Sequence, residues 1–487
     1  MAPHARALTC LAAALLAGCA ATSRRFDPLS LDPETFGREL HARFQSKPPE
    51  PSPPEVADQA KGQALDARYF AAFPELDRSY TPAARDAARE LAHELVEDAA
   101  TLSHEAFVLR VAQITALADN GHTTVGENAW RKNTPRLPLR SYWFADGLYV
   151  VRASRQQIDL LGARIDAIDG HAVEDIFQGL RRYEGGTEMH RRLRLLPLFE
   201  SPRFLRAAGI GREDHALTLS GALANGERFE RRVEAQDRDR SAPVSSSSRL
   251  LFASDPDGPE QLASLYTLDS KVPVYLRDRL HLFMSYELPE NGLYVALGAN
   301  ASSEDESITD FLAGVLEQCA RLKPSFVVVD FRMNGGGDYT KTYPFVVALD
   351  ELMRDKGRIY ALTSGWTFSA AITTVAALKT FGRDIVTIVG EPVGDRLDFW
   401  AEGERMELLN AYVAAYFTTG RHVYNGPCND IDCFWVNRLY PVRVDTLDPD
   451  IPATLTFADY RDGRDPALEA VLTREREGPA ADGTPSR

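Results

Sequence analysis

Between Arg358 and Lys379 the chain reads RIYALTSGWTFSAAITTVAALK, and few folds accommodate such a stretch. Ile359 to Leu362 has the length of one buried strand, and Thr363 to Thr367 has the composition of a turn. Ile372, Val375, Ala376 and Lys379 then recur at i, i+3, i+4 and i+7, the spacing of one helix face. Ser369 falls at the join. A strand that delivers a serine to the first turn of a helix sets the hydroxyl where unpaired N–H groups and the helix dipole favour negative charge. The ordinary use of such a serine is as an N-cap. The alternative is a nucleophile whose substrate develops an oxyanion. The rest of the chain has to decide.

At 487 residues the chain exceeds one ordinary core and predicts two or three domains. Its net charge of −15, with no basic face evident, argues against a nucleic-acid partner. The first residues carry an apolar run from Ala7 to Ala17, too short to span a bilayer as a mature helix and of signal-peptide form. Leu16-Ala17-Gly18-Cys19 resembles the bacterial lipobox, which implies cleavage after residue 18 and a lipid on Cys19. Ala20 resembles an outer-membrane sorting signal, so the expected location is the cell envelope, on the outer membrane facing the periplasm. From 19 to 60 the chain is polar and proline-rich, as an extended tether would be.

Ala and Leu recur through a helical region assigned to 61–137, which contains the helix stop Asp119-Asn120-Gly121-His122. His122 therefore sits at a helix-to-strand junction. Short strands follow through 138–240, with Leu161-Gly-Ala-Arg-Ile-Asp-Ala-Ile-Asp-Gly-His-Ala-Val173, an amphipathic segment at 174–182 and a closing hairpin around Asn225-Gly226. That pattern resembles a PDZ domain, although 185–211 is longer and more helical than a PDZ connection. From 241 to 474 strands alternate with helices: 292–297, 308–322, 326–330, the Ser369 unit and 385–390. This alternation predicts an α/β domain with a largely buried sheet. A disordered tail is expected over 475–487.

Asn334-Gly335-Gly336-Gly337 ends the strand Phe326–Asp330, where open α/β sheets place their ligands. Consecutive glycines let backbone N–H groups converge on an anion. A phosphate loop is a poor reading, because Lys341 lacks a preceding glycine and Asp338 would stand inside the cradle. A serine hydroxyl needs a base, and His122 serves if folding brings it near. Cys428 and Cys433 are close enough to pair in an exported protein. No His-Glu-x-x-His or cysteine set of ligand spacing appears, so neither a metal nor another cofactor is expected.

DFRMNGGG at 330–337, TFSAA at 367–371 and IVGEPVGD at 388–395 resemble, in order, the signatures of the tail-specific or C-terminal processing serine peptidases, the family that includes the tricorn core protease. The resemblance spans roughly residues 110–470. It implies a crotonase-like catalytic domain with an inserted PDZ-like β-rich domain and an N-terminal helical region. It also implies Ser369 as nucleophile, with an oxyanion hole from the N–H of Ala370 and from Gly336 and Gly337. Some members use a lysine about two dozen residues after the serine, where this chain has Gly394, Asp395 and Arg396. Lys379 lies on the serine's own helix. His122, in Asn-Gly-His-Thr, thus resembles the base of the tricorn-like branch, with Glu402, or Asp119, orienting its ring. Pro392-Val393-Gly394-Asp395 departs from a commoner Pro-Thr-Gly-Gly by placing an acid near the cleft. The expectation is a lipid-anchored serine peptidase acting on peptides or unfolded protein tails through an acyl-enzyme. The alternatives are a catalytically silent relative that binds peptides or apolar small ligands in the same cleft, and an envelope scaffold.

Overall fold

Four parallel strands carry the Ser369 unit: Gly292–Leu297, Phe326–Asp330, Arg358–Thr363 and Val386–Gly390. In this computed structural model, which describes residues 47–51, 58–131, 134–237, 247–253, 262–266, 270–277 and 281–477, they form the centre of a six-stranded sheet. Phe283–Leu288 adds to one edge antiparallel, and Ile451–Pro452 adds to the other edge in parallel. The segment expected to be a signal peptide, Cys19, most of the expected tether and the residues beyond 477 lie outside the described residues.

Each central strand reads as an unbroken apolar run because both faces of the sheet are covered. Val327 and Val329 pack under the helices Ile308–Leu322, Tyr343–Met353 and Ala370–Gly382, together with Ile359, Ala361 and Ile388. Their neighbours Phe326 and Val328, with Tyr360, Leu362 and Val389, point the other way, onto Ala467, Leu468 and Val471 of the helix Pro466–Glu477. That helix is longer than expected. The tail assigned from 475 is helical to Glu477, because Glu475 is held by Arg358 and by the Tyr360 hydroxyl.

The N-terminal region is helical, as the Ala/Leu recurrence predicts, with helices Gln59–Phe70, Pro82–Asp98 and His104–Ala116. It ends in the two-residue strand Thr124–Val125, which pairs with Val413–Phe417. Residues 139–234 build a second sheet in the order Leu139–Phe144, Gly147–Ala153, Arg164–Ile168, Ala216–Ala222, Arg228–Glu234, with two short strands beside this path. The helix Val173–Leu180 packs near it. Trp143 and Phe177 meet edge to face, and Arg192 lies over both rings at 4.9 and 4.2 Å. Beside these side chains lies a cavity of about 420 Å3, lined by Tyr142, Trp143 and Phe144 of the strand and by Glu174 of the helix. Among the described residues no helix is long and apolar enough to cross a membrane.

One buried carboxylate ties the N-terminal helices to the far end of the chain. Asp77, fully buried, accepts from the Ser79 N–H at 2.8 Å, the Thr123 hydroxyl at 2.6 Å and the Thr418 N–H at 2.8 Å. Asp77→Ala leaves these donors unpaired in the interior and is expected to cost about 3 kcal/mol in urea unfolding, given ~1–3 kcal/mol per stranded buried group. Because Thr123 adjoins His122, the same variant is expected to lower turnover as well.

Candidate active site

The turn before Ser369 is stitched to the loop that follows the neighbouring strand. Ser364 Oγ donates to the Arg332 carbonyl at 2.6 Å, Thr367 Oγ1 to the Phe331 carbonyl at 2.9 Å, and the Phe368 N–H to the Asn334 carbonyl at 3.0 Å. Arg332 is itself clamped between Asp330 and Asp465, which explains the charged pair inside DFRMNGGG. Held this way, Ser369 takes φ 54° and ψ −127°, and its side chain makes no capping hydrogen bond to the helix it precedes. The N-cap role is therefore not the one it plays. A non-glycine residue at such angles carries strain that the surrounding bonds must sustain.

The glycine triplet lies directly against the serine. A Cβ on Gly336, which has φ +111°, would stand 2.5 Å from Ser369 Cβ and 3.1 Å from its Oγ. Gly336→Ala is accordingly expected to push the loop from the serine and lower kcat/KM by about 100-fold, the cost of an approximately 1 Å misplacement. Gly336 does not supply the oxyanion donor expected of it, because its N–H is bonded to Asn334 Oδ1 at 2.9 Å. Gly337 and Ala370 line the cavity beside Ser369, and neither of their N–H groups is bonded to another group among the described residues. Asn300, unremarkable in the sequence, positions this loop. Its N–H donates to the Gly336 carbonyl at 2.8 Å, its carbonyl accepts from the Asp338 N–H, and its side-chain amide donates to Thr374 Oγ1.

His122 arrives from the opposite end of the chain. The Asn120 side chain pairs with both backbone groups of Trp400, at 3.0 and 3.1 Å, and fixes the turn to the strand Asp398–Ala401. The His122 ring then lies between Phe368, at 4.4 Å between centroids, and Phe399, at 5.4 Å. Phe368 is the residue before Ser369, so the imidazole and the hydroxyl occupy one locality. No hydrogen bond joins them in this resting form, and neither ring nitrogen has a hydrogen-bond partner among the described residues.

The carboxylate facing His122 is Asp395. Its Oδ2 is 3.5 Å from His122 Nδ1, and its side chain is 1% exposed. Glu402, expected to orient this ring, faces His422 instead, with Oε1 3.4 Å from Nε2. Asp119, the other expected partner, is held on the surface by Arg191 at 2.6 Å and by Arg396 at 2.9 Å. Lys379 donates to the Val386 carbonyl and pairs with Asp450, far from any role as base.

His422 is not legible in the sequence as a site residue, yet it lines the Ser369 cavity and is 2% exposed. Tyr339 Oη donates to Asn437 Oδ1 at 2.7 Å, which turns the Asn437 amide nitrogen toward His422 Nδ1 at 3.2 Å. The same Nδ1 lies 3.2 Å from Tyr424 Oη, and Nε2 faces Glu402. With His190 on the far side of Phe368, five rings form one column: His190, Phe368, His122, Phe399, His422.

The cavity beside Ser369 has a volume of about 410 Å3 and is walled by Tyr339, Phe399, Phe434 and Val436. The Cys428–Cys433 disulfide, left open by the sequence, is formed, and Cys433 immediately precedes Phe434 in this wall.

No protein-family model matches the chain, and no curated protein sequence does. Among solved structures, mature CPAF superposes with a TM-score of 0.53 at 13% identity, over 88% of this chain and 99% of that one. Its complex with lactacystin gives 0.52 at 12% identity, over 86% and 98%. The fold is that of mature CPAF. CPAF is a tail-specific protease, so the structural neighbour belongs to the group that the three motifs resemble.

Proposed function

We propose that the protein is a serine peptidase in which Ser369 attacks the scissile carbonyl, His122 takes the serine proton and returns it to the leaving amine, and Asp395 orients the imidazole. The Gly337 and Ala370 N–H groups would receive the oxyanion. The observation that carries this reading is the strained, uncapped Ser369 against a glycine loop, at the edge of a cavity. The His122 to Ser369 bond would tighten when substrate closes the site, as catalytic hydrogen bonds commonly do. The fold of CPAF, a protease that has been solved with lactacystin bound, supports the same reading.

In this reading residues 241–474 are the crotonase-like catalytic domain, and 138–240 are a PDZ-like domain that gates access or positions a peptide. Lipidation of Cys19 would hold the enzyme at the cell envelope. Mass spectrometry of the mature N-terminus tests that part independently. The test of the hydrolase reading is covalent labelling by a fluorophosphonate. Wild type is expected to label and Ser369→Ala to remain unlabelled. Folded wild type that stays unlabelled would favour the silent peptide-binding alternative.

A further inference from the structure

The Ser369 cavity has an electrostatic character that the acyl-transfer chemistry does not require. Two carboxylates, Asp338 and Glu402, line it, and among the described residues no lysine or arginine side chain does. Its walls are flat and aromatic, from Tyr339, Phe399 and Phe434. Glu402 has φ +57°, a backbone conformation that a glutamate adopts only when its surroundings enforce it. Its side chain is 25% exposed, against 1% for Asp395.

A buried polar chain lies behind the wall. Tyr339 is linked to Asn437 and Asn437 to His422, whose Nε2 faces Glu402 at 3.4 Å. His422 Nε2 has no hydrogen bond in the resting form although it is buried, so the wall presents a polar group poised toward the acid. Apolar walls ending in an anionic group match a side chain with a long aliphatic stem and a cationic tip. The net charge of −15 would also draw cationic chains toward the molecule.

We infer that this cavity, granted the serine peptidase reading, selects substrates with a lysine or arginine side chain next to the scissile bond, and that Glu402 is the counter-charge that recognises it. Glu402 is then a specificity residue, and the ring of His122 is served by Asp395 alone.

The test uses the full chain and a panel of quenched-fluorescent peptides that differ only at the residues flanking the cleavage point, carrying lysine, arginine, leucine or glutamate on either side. Wild type is expected to favour lysine or arginine on one side by at least about tenfold in kcat/KM over leucine, the scale of a site built around a polar partner. Glu402→Gln is expected to raise KM for the basic peptides and bring that ratio to near one. Glu402→Lys is expected to invert the order in favour of glutamate. A wild type that prefers leucine overturns the inference. So does a Glu402→Gln enzyme whose kcat falls by one common factor on every peptide, since that marks a role in the chemistry. Labelling by the fluorophosphonate separates the two readings. Labelled enzyme without basic preference overturns only the specificity, whereas unlabelled, folded enzyme overturns the peptidase reading and this inference with it.

Discussion

Ser369→Ala is expected to reduce kcat/KM by a factor of about 10⁴ or more, the loss found when a serine hydrolase is left with only its oxyanion donors and binding energy. Progress curves with a cleaved peptide read this directly. Stability separates the nucleophile reading from a structural one. Ser369 sits at φ 54° without a capping bond, so its side chain contributes strain and no helix-end hydrogen bond. Ser369→Gly would relieve that strain and raise the free energy of unfolding by about 1 kcal/mol, the lower end of what a left-handed non-glycine residue costs. Both variants should be inactive while only the glycine variant gains stability. An alanine variant that keeps its turnover, or a glycine variant that unfolds more easily, would contradict the assignment.

The second large effect belongs to the His122 and Asp395 pair. His122→Ala removes an imidazole whose two nitrogens are both uncommitted among the described residues, and kcat is expected to fall by about 10³ to 10⁴. Asp395→Asn keeps the shape and removes the charge facing Nδ1. It is expected to cost about 10³ in kcat with little change in KM, because a wrongly held imidazole damages the transition state and not binding. The comparison with Glu402→Gln is decisive, since the sequence alone points to Glu402 for the orienting role. If the Asp395 variant keeps its kcat and the Glu402 variant loses it on every substrate, the pairing seen in the resting structure is not the working one.

Much of this architecture is legible because parallel strands buried on both faces write themselves as apolar runs. Gly292–Leu297, Phe326–Asp330 and Ile308–Leu322 lie where the runs and the helical periodicity put them. The strand, turn and helix around Ser369 are likewise local, and the ordered motifs link distant segments to one fold. What escapes the sequence is non-local. Glu402 and Asp395 stand close together in the chain, and which acid meets His122 depends on the strand Asp398–Ala401 passing between them and on a positive φ at Glu402. Asp395 is visible in the sequence only as a departure from a commoner pattern, and the departure places a buried acid beside His122. Gly336 reads as an oxyanion donor because a glycine advertises close approach and not where its N–H is spent. Asn300 and Asp77 act through partners distant in the chain, Asn300 through the Gly336 carbonyl and Thr374, Asp77 through Thr123 and Thr418. His422 Nδ1 meets both Asn437 and Tyr424, and Asn437 is held in turn by Tyr339, so no short window of sequence contains the arrangement.

The ring column has a temporal consequence. Its members come from positions 122, 190, 368, 399 and 422, so well over half of the chain separates the first from the last. A nascent chain that has emerged only as far as the nucleophile lacks Asp395, Phe399 and the wall that follows. In the proposed reading, proteolytic competence therefore arrives late in synthesis, when nearly the whole polypeptide is present to fold, and the cell that makes it is spared a half-built protease.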